Sequence, residues 1–200
     1  MNSRPWLLAA CLLALTPTVP RADTIGCSTT QTAALEKAIS AAAGFLNSAA
    51  VSVGDTADYR RWFGAYDSQR ASVVRSNIET LQSHMLIGVV TAVCSANGTN
   101  DCEPGHFANV APDEPYKIYI CEGFFELPTF PIHPPLSMEN GTQEGTIVHE
   151  MTHFDVTNAT DDHCYSRSNC EAFAQANPDH AIRNADSYQY FSEDAAANSF

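Results

Sequence analysis

The chain has 200 residues, 44% of them hydrophobic, enough to bury the core of a single domain. With 23 acidic residues against 10 lysines and arginines the formal net charge is -13, which excludes a nucleic-acid binder and favours basic partners or basic substrates.

Arg4 followed by the unbroken apolar run Trp6 to Leu15, then Thr16, two prolines and Ala22, reads as a secretory signal peptide over residues 1–22. Ten apolar residues are half of the ~20 that span a bilayer, no other run is long enough, and Cys11 lies mid-run, against a lipoprotein site. Residues 23–200 are then one mature domain, exported to the extracellular space or a periplasm and free of the membrane. Losing Arg4 and Arg21 and no acid takes its net charge from -13 to -15.

Thr29 to Ser52 is Ala-rich and carries Leu35, Ile39 and Phe45, with Ser28 or Thr29 as a cap; it predicts a helix. Tyr59 to His84 predicts one or two more, with Trp62, Phe63, Tyr66, Val73, Val74, Ile78 and Leu81 as core residues. Cys94 to Pro115 is rich in Asn, Gly, Pro and Asp and predicts loops or short strands. Tyr116 to Cys121 alternates like a strand. Leu127 to Pro135 holds four prolines and is extended or looped. Thr146 to Asp155 is helical in character. Asn158 to Asn169 is a polar loop, Glu171 to Ala176 a helix ended by Pro178, and Asp179 to Phe191 a last helix. The class expected is α+β, mainly helical, with a small sheet.

Without Cys11 the cysteines are Cys27, Cys94, Cys102, Cys121, Cys164 and Cys170. An even number in an exported chain predicts disulfides, although counting leaves the pairing open. No C-x-x-C occurs, so a thiolate zinc site is not expected. Asn97, Asn140 and Asn158 begin glycosylation sequons, which matter only in a source that glycosylates.

The chemistry is carried by His149-Glu150-Met151-Thr152-His153. Residues four apart share one face of a helix. Two imidazoles so placed hold one Zn2+, and the Glu beside the first reaches a water on that ion as general base. Ile147, Val148, Met151 and Phe154 suit a buried helix. A catalytic zinc needs a third protein ligand and an open position. Ten residues past His149, where a third His would stand in one zinc-peptidase class, the chain has Ala159. Asp162 lies thirteen residues past His149 and Glu171 twenty-two, and spacing leaves the two in competition, with Asp161 and His163 nearby. Asp155 would have to bend back within its own helix.

Ala159-Thr160-Asp161-Asp162-His163-Cys164-Tyr165 resembles the G-T-x-D-x-x-Y motif of the aspzincins, the deuterolysin family of zinc metalloendopeptidases. Gly145-Thr146 before the H-E-x-x-H, Phe154 after it, Trp62-Phe63-Gly64, Ile118 to Cys121 and Asn184 to Phe191 are similar too, and most of all to the peptidyl-Lys metalloendopeptidase branch. The resemblance implies a zincin-like fold, one Zn2+ per chain held by His149, His153 and Asp162, Glu150 as base, and Tyr165 as a hydrogen-bond donor to the transition state. It implies disulfides Cys27–Cys94 and Cys102–Cys121, leaving Cys164 with Cys170. In the Lys-specific branch an acidic pair holds the lysine on the leaving-group side of the cut; Asp186 matches its Asp, and Gln189 stands in place of its Glu. The implied activity is a secreted endopeptidase cutting proteins or peptides before Lys, less strictly than with both acids. Ala159 and Ser166 stand where the family has Gly. The fungal members carry a sizeable propeptide, for which this chain is expected to have no room. Two other readings remain: a secreted binding or effector protein with structural zinc or none, and a gluzincin-like peptidase using Glu171.

Overall fold

The computed structural model describes residues 21–99, 102–130 and 138–199. The leader, apart from Arg21 and Ala22, and Pro131 to Pro135 of the proline-rich stretch lie outside the described residues.

The chain opens on strand β1 (Arg21–Ile25) and enters α1 (Thr29–Ser52). Ser28 caps α1: its hydroxyl accepts from the Gln31 N–H while the Gln31 side chain accepts from the Ser28 N–H, satisfying two otherwise orphaned donors. Helices α2 (Ala57–Phe63) and α3 (Ser68–Ile87) follow, then β2 (Val89–Cys94), β3 (Ala108–Asn109), β4 (Lys117–Ile120) and a 3-10 turn at Glu122–Glu126. The second half is helical: α4 (Gln143–His153), α5 (Arg167–Ala176), α6 (Pro178–Ala181) and α7 (Ala185–Ala197). The architecture is α+β and mainly helical, as expected. Among the described residues no helix is long and apolar enough to cross a membrane.

The sheet runs β1-β2-β4-β3, with β1, β2 and β4 parallel and β3 antiparallel on the edge. Neither β1 nor β2 was expected from the residues. Val89 to Cys94 has three valines in an apolar run too short to separate from helix by periodicity; its partners on both sides make it a strand. β1 begins at Arg21, so it includes the last two residues read as leader.

The three disulfides join Cys27 to Cys94, Cys102 to Cys121 and Cys164 to Cys170. The first fastens the end of β1 to the end of β2. Helix α1 is the spine of the core: it packs on α3, α4 and α7, with Leu35, Ile39, Leu46 and Ala49 fully buried. Tyr66 and Val73, expected in the core, are exposed instead. Leu46→Ala is expected to cost about 2–5 kcal/mol of stability, read as a lower urea midpoint at unchanged m.

A buried ionic knot fixes the helices around the site. The Arg167 guanidinium donates to Asp194 at 2.8 Å and to Glu193 at 2.6 Å, and lies over the rings of Trp62 and Tyr190. Trp62 Nε1 donates to the other Asp194 oxygen at 2.8 Å. The remaining Glu193 oxygen accepts from both the N–H and the hydroxyl of Thr142, the N-cap of α4, at 2.9 Å each. Burying two carboxylates is tolerable only because every charge finds partners. Gly64 closes α2 at φ +75, where an added Cβ would lie 2.4 Å from the Ala174 carbonyl, so only glycine lets α2 meet α5 this closely.

The stretch from Asp179 to Phe191 is not one helix. It breaks at Ile182 to Asn184 between α6 and α7. Asn184 is fully buried, and its side-chain oxygen accepts from the N–H groups of His163 (2.8 Å) and Cys164 (3.1 Å). Asp161 N–H donates to the Arg183 carbonyl and Ala185 N–H to the Asp161 carbonyl. The break therefore holds the loop that follows α4.

Candidate metal centre

Helix α4 is buried along nearly its whole length. His149 and His153 stand one turn apart on one face, and their Nε2 atoms are 3.1 Å from each other. The helix stops at His153, and the chain reverses. Thr157 donates its hydroxyl to the Met151 and Phe154 carbonyls, Ala159 sits at φ +46, and Thr160 N–H donates back to the Thr152 carbonyl. The reversal returns Asp162 to the histidines: its Oδ1 is 3.3 Å from His149 Nε2 and 3.4 Å from His153 Nε2. Glu150 is buried beside them; one of its oxygens and a nitrogen of each ring lie within 4.8 Å of one another.

The outer nitrogens fix the tautomers. His149 Nδ1 is 2.7 Å from Asp186 Oδ1, and His153 Nδ1 is 2.9 Å from the Thr160 carbonyl. Those oxygens accept from the rings, so each Nδ1 carries a proton and each Nε2 points inward, where a neutral ring offers a lone pair to a cation. Two lone pairs and a carboxylate oxygen then face one point, an arrangement that repels itself without a cation. Four-coordinate zinc with bonds of ~2.0–2.2 Å separates its donors by roughly 3.3 Å, the edge length of this triangle. This triangle offers two nitrogens and one oxygen, with the Glu150 carboxylate beside it, and it opens on the cavity, as a catalytic metal site requires.

The electrostatics agree. Burial works against the charge on His149, but the hydrogen bond and charge of Asp186, with Glu150 and Asp162 nearby, raise its pKa to about 9, so without a metal the ring holds a second proton that a metal ion would displace. His153 is raised too: burial is outweighed, chiefly by the hydrogen bond to Asp162. Burial pulls Asp162 upward, yet the bond from His153 and the two imidazole charges hold it down at about 2. Burial lifts Glu150 above the usual carboxylate range, against the pull of the histidines. Three acids around two imidazoles make a pocket that takes up positive charge.

Tyr165 follows on the same loop, 61% exposed, and shares a hydrogen bond with Asp162. Burial of its hydroxyl and the Asp162 charge raise its pKa, so it stays protonated. These groups open into a cavity of about 630 Å³. Its lining brings together Gly105 to Val110 with edge strand β3, residues of α4, and Asp162, Tyr165, Asp186 and Gln189.

Asp186 is 4% exposed and already engaged, with Oδ1 on His149 and Oδ2 accepting the Ser166 N–H at 3.0 Å. The link to His149, thirty-seven residues away in sequence, was not read from the residues; an acid near the metal helix that could steady a histidine is a signal only the fold reveals. Gln189 lies on the cavity wall against Gly141 (φ +74), where an added Cβ would come within 2.1 Å of its amide nitrogen. Glu171 stands apart: its side chain is 54% exposed and pairs with Arg61 at 3.9 Å. Among the sequons, Asn158 buries its amide with no hydrogen-bond partner among the described residues, and Asn140 lines the cavity.

The aspzincin family model, described as "Lysine-specific metallo-endopeptidase", matches residues 48–193. The chain is 34% identical over 171 residues to an "Extracellular protease" of Aeromonas hydrophila, covering 84% of this chain and 45% of that one. It is 33% identical over 190 residues to a "Peptidyl-Lys metalloendopeptidase" of Grifola frondosa, covering 92% and 50%. It thus spans about half the length of these curated relatives. A solved zinc peptidase from Grifola frondosa superposes with a TM-score of 0.72 at 30% identity, covering 84% of this chain and 97% of that one. The chain belongs to the aspzincin family.

Proposed function

We propose that this protein is a secreted zinc metalloendopeptidase that holds Zn2+ with His149, His153 and Asp162. The observation that carries the reading is the triangle of three inward-facing acceptor atoms, 3.1–3.4 Å apart. The relatives' names, metalloendopeptidase and extracellular protease, support the activity and the export; the leader-like start and the disulfides support export as well.

Zinc, when bound, supplies Lewis acidity, lowering the pKa of a water toward ~7 and polarising a carbonyl. Glu150, a base made stronger by burial, takes the proton of the attacking water and passes it to the leaving amine. Tyr165, at the mouth, turns its hydroxyl from Asp162 to the oxygen that becomes negative. Losing one such donor costs ~10²–10³ in rate. Asp186 and Thr160 hold the histidine tautomers so that both Nε2 atoms face the ion.

We further propose a preference for Lys just after the cut, with Arg admitted. Asp186 lines the cavity, but His149 and the Ser166 N–H share its charge, and Gln189 offers a neutral amide. An ammonium therefore meets less negative charge than two free acids would provide. Restoring the acid with Gln189→Glu adds a charged hydrogen bond of about 1.5 kcal/mol, roughly tenfold in kcat/KM for Lys over Arg substrates. An unchanged ratio would remove residue 189 from recognition. The activity itself is tested by mass spectrometry of a digested proteome. Cleavage before Lys, abolished by a chelator and restored by zinc, is the expected result; digestion that ignores the chelator rules out the metal peptidase.

A further inference from the structure

Tyr165 is the most exposed of the residues assigned to chemistry, and little side-chain packing holds it. Its position depends on the backbone from His163 to Arg167. That backbone is held by Asn184 at His163 and Cys164, by Asp186 at Ser166, by the Glu139 carbonyl at Arg167, and by the disulfide from Cys164 to Cys170, which brackets Tyr165. Cys170 lies in the first turn of α5 and is fully buried, so it is a fixed post. Ser166, directly after Tyr165, has φ +72 and ψ 152, a region that is essentially glycine's alone. An L residue stays there only when its surroundings over-determine it. A tether lost from this set would give Ser166 a route to negative φ, a rotation of the peptide carrying Tyr165 that would move its hydroxyl off the site.

We propose that the Cys164–Cys170 disulfide is a positioning element for the Tyr165 hydroxyl. It compensates for serine in place of glycine at position 166 and makes turnover depend on one bond beside the cavity. The inference rests on the reading of Tyr165 as the oxyanion donor.

The test is a cycle on the zinc-loaded enzyme with a Lys peptide: wild type, C164A/C170A, Tyr165→Phe, and the three changes together. Expected are a loss of about tenfold in kcat for C164A/C170A, smaller than the ~10²–10³ that complete loss of a donor costs, with KM and zinc content unchanged. In the Tyr165→Phe background the disulfide change should have no further effect. Ser166→Gly added to C164A/C170A should recover part of kcat, because glycine holds the same φ without strain. If the double alanine variant does not fold, mild phosphine reduction of the folded enzyme, with the alkylated cysteines mapped by peptide mass, gives the same readout. Unchanged kcat in a folded C164A/C170A, equal losses in both backgrounds, or loss of zinc instead of kcat overturns the proposal. Full activity in Tyr165→Phe overturns the reading of Tyr165 itself, a separate outcome.

Discussion

Glu150→Gln is expected to bind zinc with wild-type stoichiometry and to lose about 10²–10⁴-fold in kcat, the range general acid–base catalysis supplies. The amide is nearly the size of the carboxylate, so the buried slot beside His149 and His153 stays filled. It lacks the basic oxygen that takes up the proton. KM should move little, because the loss falls on the transition state rather than on binding. Metal analysis with steady-state kinetics checks both halves. If zinc leaves together with the activity, Glu150 holds the ion instead of the proton.

Asp162→Ala should lose the ion itself. Outer partners of metal ligands typically matter by 10–100-fold in affinity; a direct ligand should exceed that, leaving two imidazoles that cannot close the site. Glu171→Ala should leave zinc and turnover as they are, since the Glu171 side chain is 54% exposed and pairs with Arg61, away from the histidines. Competition against a chelator of known affinity measures both. The reverse pattern would favour a gluzincin-like arrangement and displace the reading given above.

Much of this site was legible because its first part is local. Two histidines four apart need only a helix to meet, and the apolar residues between them announce one. The third ligand was not legible from spacing. Whether residue 162 or 171 returns to the histidines depends on a reversal set by Ala159 at positive φ, by Thr157 capping the end of α4, and by Asn184 catching the loop from the far side. Only the family resemblance favoured Asp162. The same long-range contact explains why Asp179 to Phe191 breaks: helix propensity favours continuity, but Asn184 and Arg183 are needed to hold the loop backbone. Asp186 was read as a lysine acceptor, and its bond to His149 became visible only when α7 packed on α4. The knot of Arg167 with Glu193 and Asp194 was equally hidden, because charges in sequence usually mean a solvated face. Strand β2 was not legible because its outward face carries Val89 and Val93, so its alternating burial is hidden in an apolar run of six residues.

The account stands or falls on convergence at a single ion. Anomalous diffraction at the zinc edge, from crystals of the purified enzyme, tests this directly. One strong peak within ~2.0–2.2 Å of His149 Nε2, His153 Nε2 and an Asp162 oxygen is the expected result. A peak bound by other residues, or no peak in crystals of active enzyme, would contradict it.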